Sequence, residues 1–115
     1  MATINLKSLD GKTTYALTYT RKSAELAEQR AGFEIGEYMN GKGLLKNTYA
    51  LFYGAFFENH QGIKRKVVDE LYQNIDNKEG LIAKLLEMYT DAVKSLITTD
   101  DNEDKETKNV KWEVV

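Results

Sequence analysis

Apolar residues recur at every second position near the N-terminus and at three- and four-residue steps through most of the chain after it. Ile4 and Leu6 alternate with Thr3, Asn5 and Lys7; Tyr15, Leu17 and Tyr19 alternate with Thr14, Ala16 and Thr18. Period two marks a strand with one face buried. Asp10-Gly11 lies midway between the runs, and this pair suits a two-residue turn whose central residues both take positive φ. A turn centred there pairs residues whose numbers sum to 21, Ile4 with Leu17 and Leu6 with Tyr15. These four then share a face with Tyr19, leaving Asn5, Lys7, Thr14 and Thr18 to water. A slip of one residue would turn the whole apolar set outward, so pattern and turn support each other. Residues 3–19 therefore read as a β-hairpin. Two strands alone are marginal in water, so the apolar face must rest on helices or on another sheet edge.

The helical pattern follows. Thr20 or Ser23 can cap a helix running to about residue 31, with Ala24, Leu26, Ala27 and Ala31 available for packing and Gly32 as a left-handed stop. Phe33, Ile35, Tyr38 and Met39 form a short amphipathic turn, and Asn40-Gly41-Lys42-Gly43 is the clearest loop. The next helix, residues 44–58, contains Tyr-Ala-Leu-Phe-Tyr-Gly-Ala-Phe-Phe from Tyr49 to Phe57, without one charged or amide side chain. A helix apolar all round has no face for water, so this one should be the buried centre. Asn59-His60-Gln61-Gly62 breaks it. Residues 63–75 place Val67, Val68, Leu71, Tyr72 and Ile75 on one stripe. After Asp76-Asn77, residues 78–97 do the same with Leu81, Ile82, Leu85, Leu86, Tyr89, Val93 and Leu96.

The expected fold is mainly α: an N-terminal hairpin, then a compact bundle of four to five short helices, forming one domain over residues 1–97. Residues 98–115 read as a flexible acidic tail, because the polar run 98–108 has no apolar surface to bury. The tail ends on Val110, Trp112 and Val114 alternating with Lys111 and Glu113, a strand-like hook that holds the one tryptophan.

Charge narrows the function classes. Residues 1–99 carry 13 Lys and Arg against 12 Asp and Glu, and residues 100–115 carry 3 against 6. A near-neutral body gives no electrostatic basis for binding nucleic acid or an anionic membrane. The absence of cysteine excludes disulfides and thiolate metal sites and fits a reducing cytoplasm. No secretory signal is visible, and the longest apolar stretch falls short of the ~20 residues of a membrane span.

Candidate chemistry is sparse. His60 is the one imidazole, and a nucleophile held by a positioned base is not evident beside it. It reads as a solvated turn residue, with Asp69 and Glu70 in the next helix. Asp100, Asp101, Glu103, Asp104 and Glu106 cluster, yet lack the glycine and closing glutamate of a calcium loop. Lys64-Arg65-Lys66 reads as an exposed helix face. These residues predict no catalytic, cofactor or metal site, and hence a binding protein rather than an enzyme. Most of the aromatics should be core. Tyr53, Phe56 and Phe57 are the candidates for a patch left open to a partner, and Trp112 for a docking anchor outside the core.

The order of these features resembles the small tail assembly chaperones of long-tailed (siphovirus-type) bacteriophages of Gram-positive hosts. The residues that carry the likeness are Asp10-Gly11, Gly32-Phe33, Ala50-Leu51-Phe52-Tyr53-Gly54-Ala55, His60, Ile63 and Leu81-Ile82 through Leu85 to Tyr89. They cover about residues 2–97; the tail has no counterpart. The resemblance implies a non-catalytic protein of the bacterial host's cytoplasm. It would bind the tape-measure protein, keep it soluble, and leave as the tail tube polymerises. Members are often made in two lengths by ribosomal frameshifting. Copies of this chain would meet through the hairpin edge or the grooves between helices. Two other classes fit a small helical module: a structural virion component such as a connector or tail subunit, and a nucleic-acid-binding regulator.

Overall fold

Strands β1 (Ile4–Lys7) and β2 (Thr14–Leu17) pair antiparallel with Ile4 opposite Leu17 and Leu6 opposite Tyr15, the register that the alternation predicts. The computed structural model describes residues 2–97. In them the hairpin is followed by five α-helices, so the fold is mainly α. The turn is not the two-residue type. Ser8 N–H donates to the Thr13 carbonyl at 2.8 Å, Gly11 N–H donates to the Ser8 carbonyl at 2.9 Å, and only Gly11 has positive φ there, 74°. Leu9 to Lys12 thus form a four-residue loop with the same centre, which is why the register survives. Asp10 avoids the strained left-handed region, and its carboxylate accepts from Ser8 Oγ at 2.6 Å and Lys12 N–H at 2.9 Å.

Thr18 departs from the expectation that it faces water. It is buried, its N–H donating to the Ala55 carbonyl at 3.1 Å and its hydroxyl to the Ala2 carbonyl at 2.5 Å. Strand β2 has ended at Leu17, so period two no longer decides which side is wet.

Helix α1 (Arg21–Leu26) starts at Thr20 with a reciprocal cap. Thr20 Oγ1 accepts from Ser23 N–H at 3.2 Å, and Ser23 Oγ accepts from Thr20 N–H at 2.8 Å. The helix continues as a π-helical segment, Ala27–Ala31, and stops at Gly32 with φ 77°. Helix α2 (Ile35–Met39) follows, then α3 (Leu44–Gly54). Asn47, fully buried at the joint between them, accepts from Glu34 N–H at 2.8 Å and donates to the Lys42 carbonyl and Glu37 Oε1, both at 3.3 Å. Each of its polar atoms has a partner, as burial of an amide requires.

Helix α3 is the centre of the core, with Ala50, Leu51 and Phe52 at 1% exposure or less. It ends four residues short of the expected Glu58. From Ala55 onward the amides of Ala55, Phe56 and Phe57 bond three residues back, to Phe52, Tyr53 and Gly54, a tightened last turn. This frees the Leu51 carbonyl, which accepts the buried Tyr19 hydroxyl at 2.5 Å. Gly54 is where backbones touch. A Cβ there would lie 2.6 Å from Tyr19 Oη and closer still to Ala27 Cβ. Helix α4 (Arg65–Gln73) adds Val68 and Leu71, and α5 (Lys78–Ile97) adds Ile82, Leu85, Met88 and Tyr89. Burying a large apolar side chain contributes about 1.5–3 kcal/mol, so this cluster is the main stabilising element. The aromatic rings meet edge-on, Phe33 and Tyr89 at 4.8 Å and Tyr19 and Tyr89 at 5.2 Å.

Candidate functional site

The residues expected at a partner patch have different fates. Phe56 and Phe57 are sealed in the core, at 0% and 1% exposure, and in the folded chain no partner reaches them. Tyr53 is half-buried. The Arg65 guanidinium covers it at 5.5 Å and covers Tyr49 at 5.1 Å, so the basic triplet of α4 serves in part as a lid over aromatic rings. Trp112 and the acidic residues 100–106 lie outside the described residues.

His60 is a tie between hairpin and core, not a solvated turn. Its Nε2 accepts from Ala16 N–H at 3.1 Å, its ring stands edge-on to Tyr15 at 5.3 Å, and Asn59 Nδ2 donates to the Ala16 carbonyl at 3.1 Å. Two consecutive side chains thus occupy both outward backbone groups of Ala16, acting as a neighbouring strand would. With Thr18 N–H bonded to Ala55, the outer edge of β2 is occupied at Ala16 and Thr18.

The outer edge of β1 is different. Bonded pairs alternate along an antiparallel ladder. Ser8 bonds Thr13, and Ala16 points away from β1, so Asn5 and Lys7 point their backbone groups away from β2. Those groups find no partner among the described residues. Beside that edge opens a cleft of about 440 Å³ between β1 and the α4–α5 connection, lined by Leu6, Lys7, Leu9, Leu71, Ile75 and Leu81 among others. A second hollow of about 290 Å³ continues past Leu9 and Leu71 toward Tyr15 and Val67. Leu9, at the hairpin tip, is 67% exposed. An unpaired strand edge next to an apolar trough is the geometry that accepts an extended or helical segment from elsewhere. Leu9 carried a signal in the sequence, an apolar residue inside a turn. The cleft itself carried none, since its walls come from three distant segments.

A second apolar area lies at the α2–α3 corner, where Met39, Leu44 and Leu45 are 66%, 52% and 90% exposed. Burial pushes the Tyr19 phenol well above its usual range, and burial, followed by the nearby Asp69 carboxylate, does so for Tyr49. Burial and then Glu28, which accepts the Tyr89 hydroxyl at 3.1 Å, raise Tyr89. These phenols stay neutral at ordinary pH. Among the described residues no group of three or more His, Asp or Glu is placed to hold a metal ion, and no helix is long and apolar enough to cross a membrane.

A family described as a domain of unknown function (DUF5055) matches residues 1–115. The chain belongs to that family. No curated protein and no solved structure matches it. For this DUF5055 member the β1 edge with its cleft is thus the site that the geometry itself selects.

Proposed function

We propose that this protein is a non-catalytic binding module that takes an apolar segment of another chain along the β1 edge, and that it serves as a phage tail assembly chaperone. The observation that carries the binding half is the juxtaposition of the Asn5 and Lys7 backbone groups, which no described residue pairs, with the trough lined by Leu6, Leu71, Ile75 and Leu81. Such a site supplies main-chain hydrogen bonds to any extended segment and apolar contact to alternate side chains. It favours unassembled, aggregation-prone chains over folded ones, and a holdase works by that preference. The tail-assembly half is supported by the order of hairpin, apolar central helix and acidic-leucine helix that the chain shares with those chaperones. Its partner is then the tape-measure protein, and its place the cytoplasm of the infected host. Copies of the chain would associate through the same edge.

Co-expression with the tape-measure protein of the same genome tests the proposal. The expected result is a larger soluble fraction of that protein and a co-purifying complex, both reduced by Leu9→Glu at the mouth of the cleft. Absence of both overturns it. Recovery of the chain in purified virions would instead make it a structural component, and salt-dependent retention on DNA a regulator.

A further inference from the structure

We infer that the segment taken by the β1 edge is a basic one, its apolar side chains filling the trough and its Lys or Arg side chains reaching the carboxylates of Glu70 and Asp76. This rests on the reading of that edge as a docking site and adds the chemistry of the occupant. The floor of the trough is apolar, with Leu6, Leu71 and Leu81, but its rim is charged. Asp76 lines the cleft on the α4–α5 side, and Glu70 and Asp10 line the hollow that continues from it. Against these three carboxylates the same walls bring one cation among the described residues, Lys7. Glu70 and Asp76 are exposed, and their carboxylates find no ion-pair or hydrogen-bond partner among the described residues. Lys78, which follows the cleft wall in sequence, is engaged elsewhere, its ammonium 4.1 Å from the Tyr72 ring centroid. The potential over the trough is therefore negative, and it favours a cationic occupant over an anionic one.

The ladder fixes where those cations sit. A strand added to β1 bonds to the outward groups of Asn5 and Lys7, so its residues beside Ile4 and Leu6 face the trough and those beside Asn5 and Lys7 face the other way. A lysine or arginine beside Leu6 lays its methylene stem on the apolar floor and carries its charge to the acidic rim, as long cationic side chains do on apolar surface. A glutamate there meets like charge. Beside Lys7 the preference reverses, because like charges directly opposite each other are destabilising. The occupant thus carries its cations on the same face as its apolar residues, and neutral or acidic residues on the other. Exposed charge pairs are individually weak and screened by salt, so the selection is a matter of several-fold in affinity.

Two end-blocked peptides test the inference on the full chain: a repeated Thr-Val-Thr-Lys, and the same peptide with glutamate in place of each lysine. Amide chemical shifts of Asn5 and Lys7 report binding at the edge and read weak affinities directly. The expected result is that the lysine peptide binds about threefold to tenfold more tightly at low salt. The preference should vanish at about 1 M salt, where charges act only within about 3 Å. Glu70→Gln combined with Asp76→Asn should remove the preference as well, with helical circular dichroism unchanged, since both side chains are exposed. Equal or tighter binding of the glutamate peptide overturns the inference and leaves the β1 edge as a docking site. A preference that survives the double substitution overturns it too, by placing the selecting charge elsewhere. If neither peptide shifts the Asn5 and Lys7 amides, the docking reading itself fails and the inference fails with it.

Discussion

Nε2 of His60 accepts a hydrogen bond from the amide of Ala16, 44 positions earlier in the chain, at 3.1 Å. The ring accepts there only with its proton on Nδ1. The bond joins the end of the central helical run to the outer edge of β2 at Ala16.

Removing that imidazole should therefore loosen the hairpin before the helices. His60→Ala leaves a part-buried amide without its acceptor, at a cost of about 1–3 kcal/mol. Hydrogen exchange at Ala16 should accelerate more than at Leu51 of α3, together with a lower melting temperature. Equal acceleration at both sites would show that the tie serves the whole core rather than the hairpin.

Gly54 and Gly36 should respond oppositely to the same change. A methyl group at Gly54 runs into Ala27 and the Tyr19 hydroxyl, so Gly54→Ala should cost about 1–3 kcal/mol by overpacking. Gly36 sits in α2 with no neighbour within 4 Å of its missing Cβ, so Gly36→Ala should gain up to about 1 kcal/mol of helix propensity. Chemical denaturation of both variants checks the pair.

Asn47 should matter far more than the exposed ion pairs beside it. Asn47→Ala leaves the Glu34 amide and the Lys42 carbonyl without their partner in a part-buried joint, a loss of about 1 kcal/mol. Lys46 bridges Glu34 and Glu37 at 3.4 and 3.1 Å on the surface, and Lys46→Ala should leave the melt nearly unchanged.

Acid should weaken the hairpin turn and the α2–α3 joint. Hydrogen bonds from Ser8 and then Lys12 hold the Asp10 carboxyl below its usual 3.8. Asn47 and then Lys46 hold Glu37 below 4.5. A carboxyl whose folded pKa is depressed contributes stability above its unfolded value, and loses it as pH falls through the folded one. Melting temperature should thus decline from about pH 4.5 downward, and the decline should be shallower in Asp10→Asn. Both groups are exposed, so the effect is small. An identical slope in the variant would remove Asp10 from the account.

Much of the fold was legible along the chain because periodicity is a local property. The hairpin register followed from two alternating runs and their midpoint, and the Thr20 cap and the Gly32 stop from residue types at element ends. The bounds of α5 came out as expected, residues 78–97. The errors are equally physical. The turn at Asp10 widened because an aspartate gains two hydrogen bonds by keeping negative φ. The central helix tightened after Gly54, and the Leu51 carbonyl so freed meets the Tyr19 hydroxyl, a partner remote in sequence. His60 was misread because the group that satisfies it is remote in sequence.

The candidate site divides the same way. Composition and pattern alone settled that the chain is mainly helical, near neutral over most of its length, and built around an apolar run with little room for water. Which of those aromatics stay accessible was decided by packing: Phe56 and Phe57 went inside, and Tyr53 was half covered by Arg65. The open edge and its cleft exist only where β1, α4 and the start of α5 come together in space. Surface shape is a property of distances between segments, and a linear pattern records only neighbours.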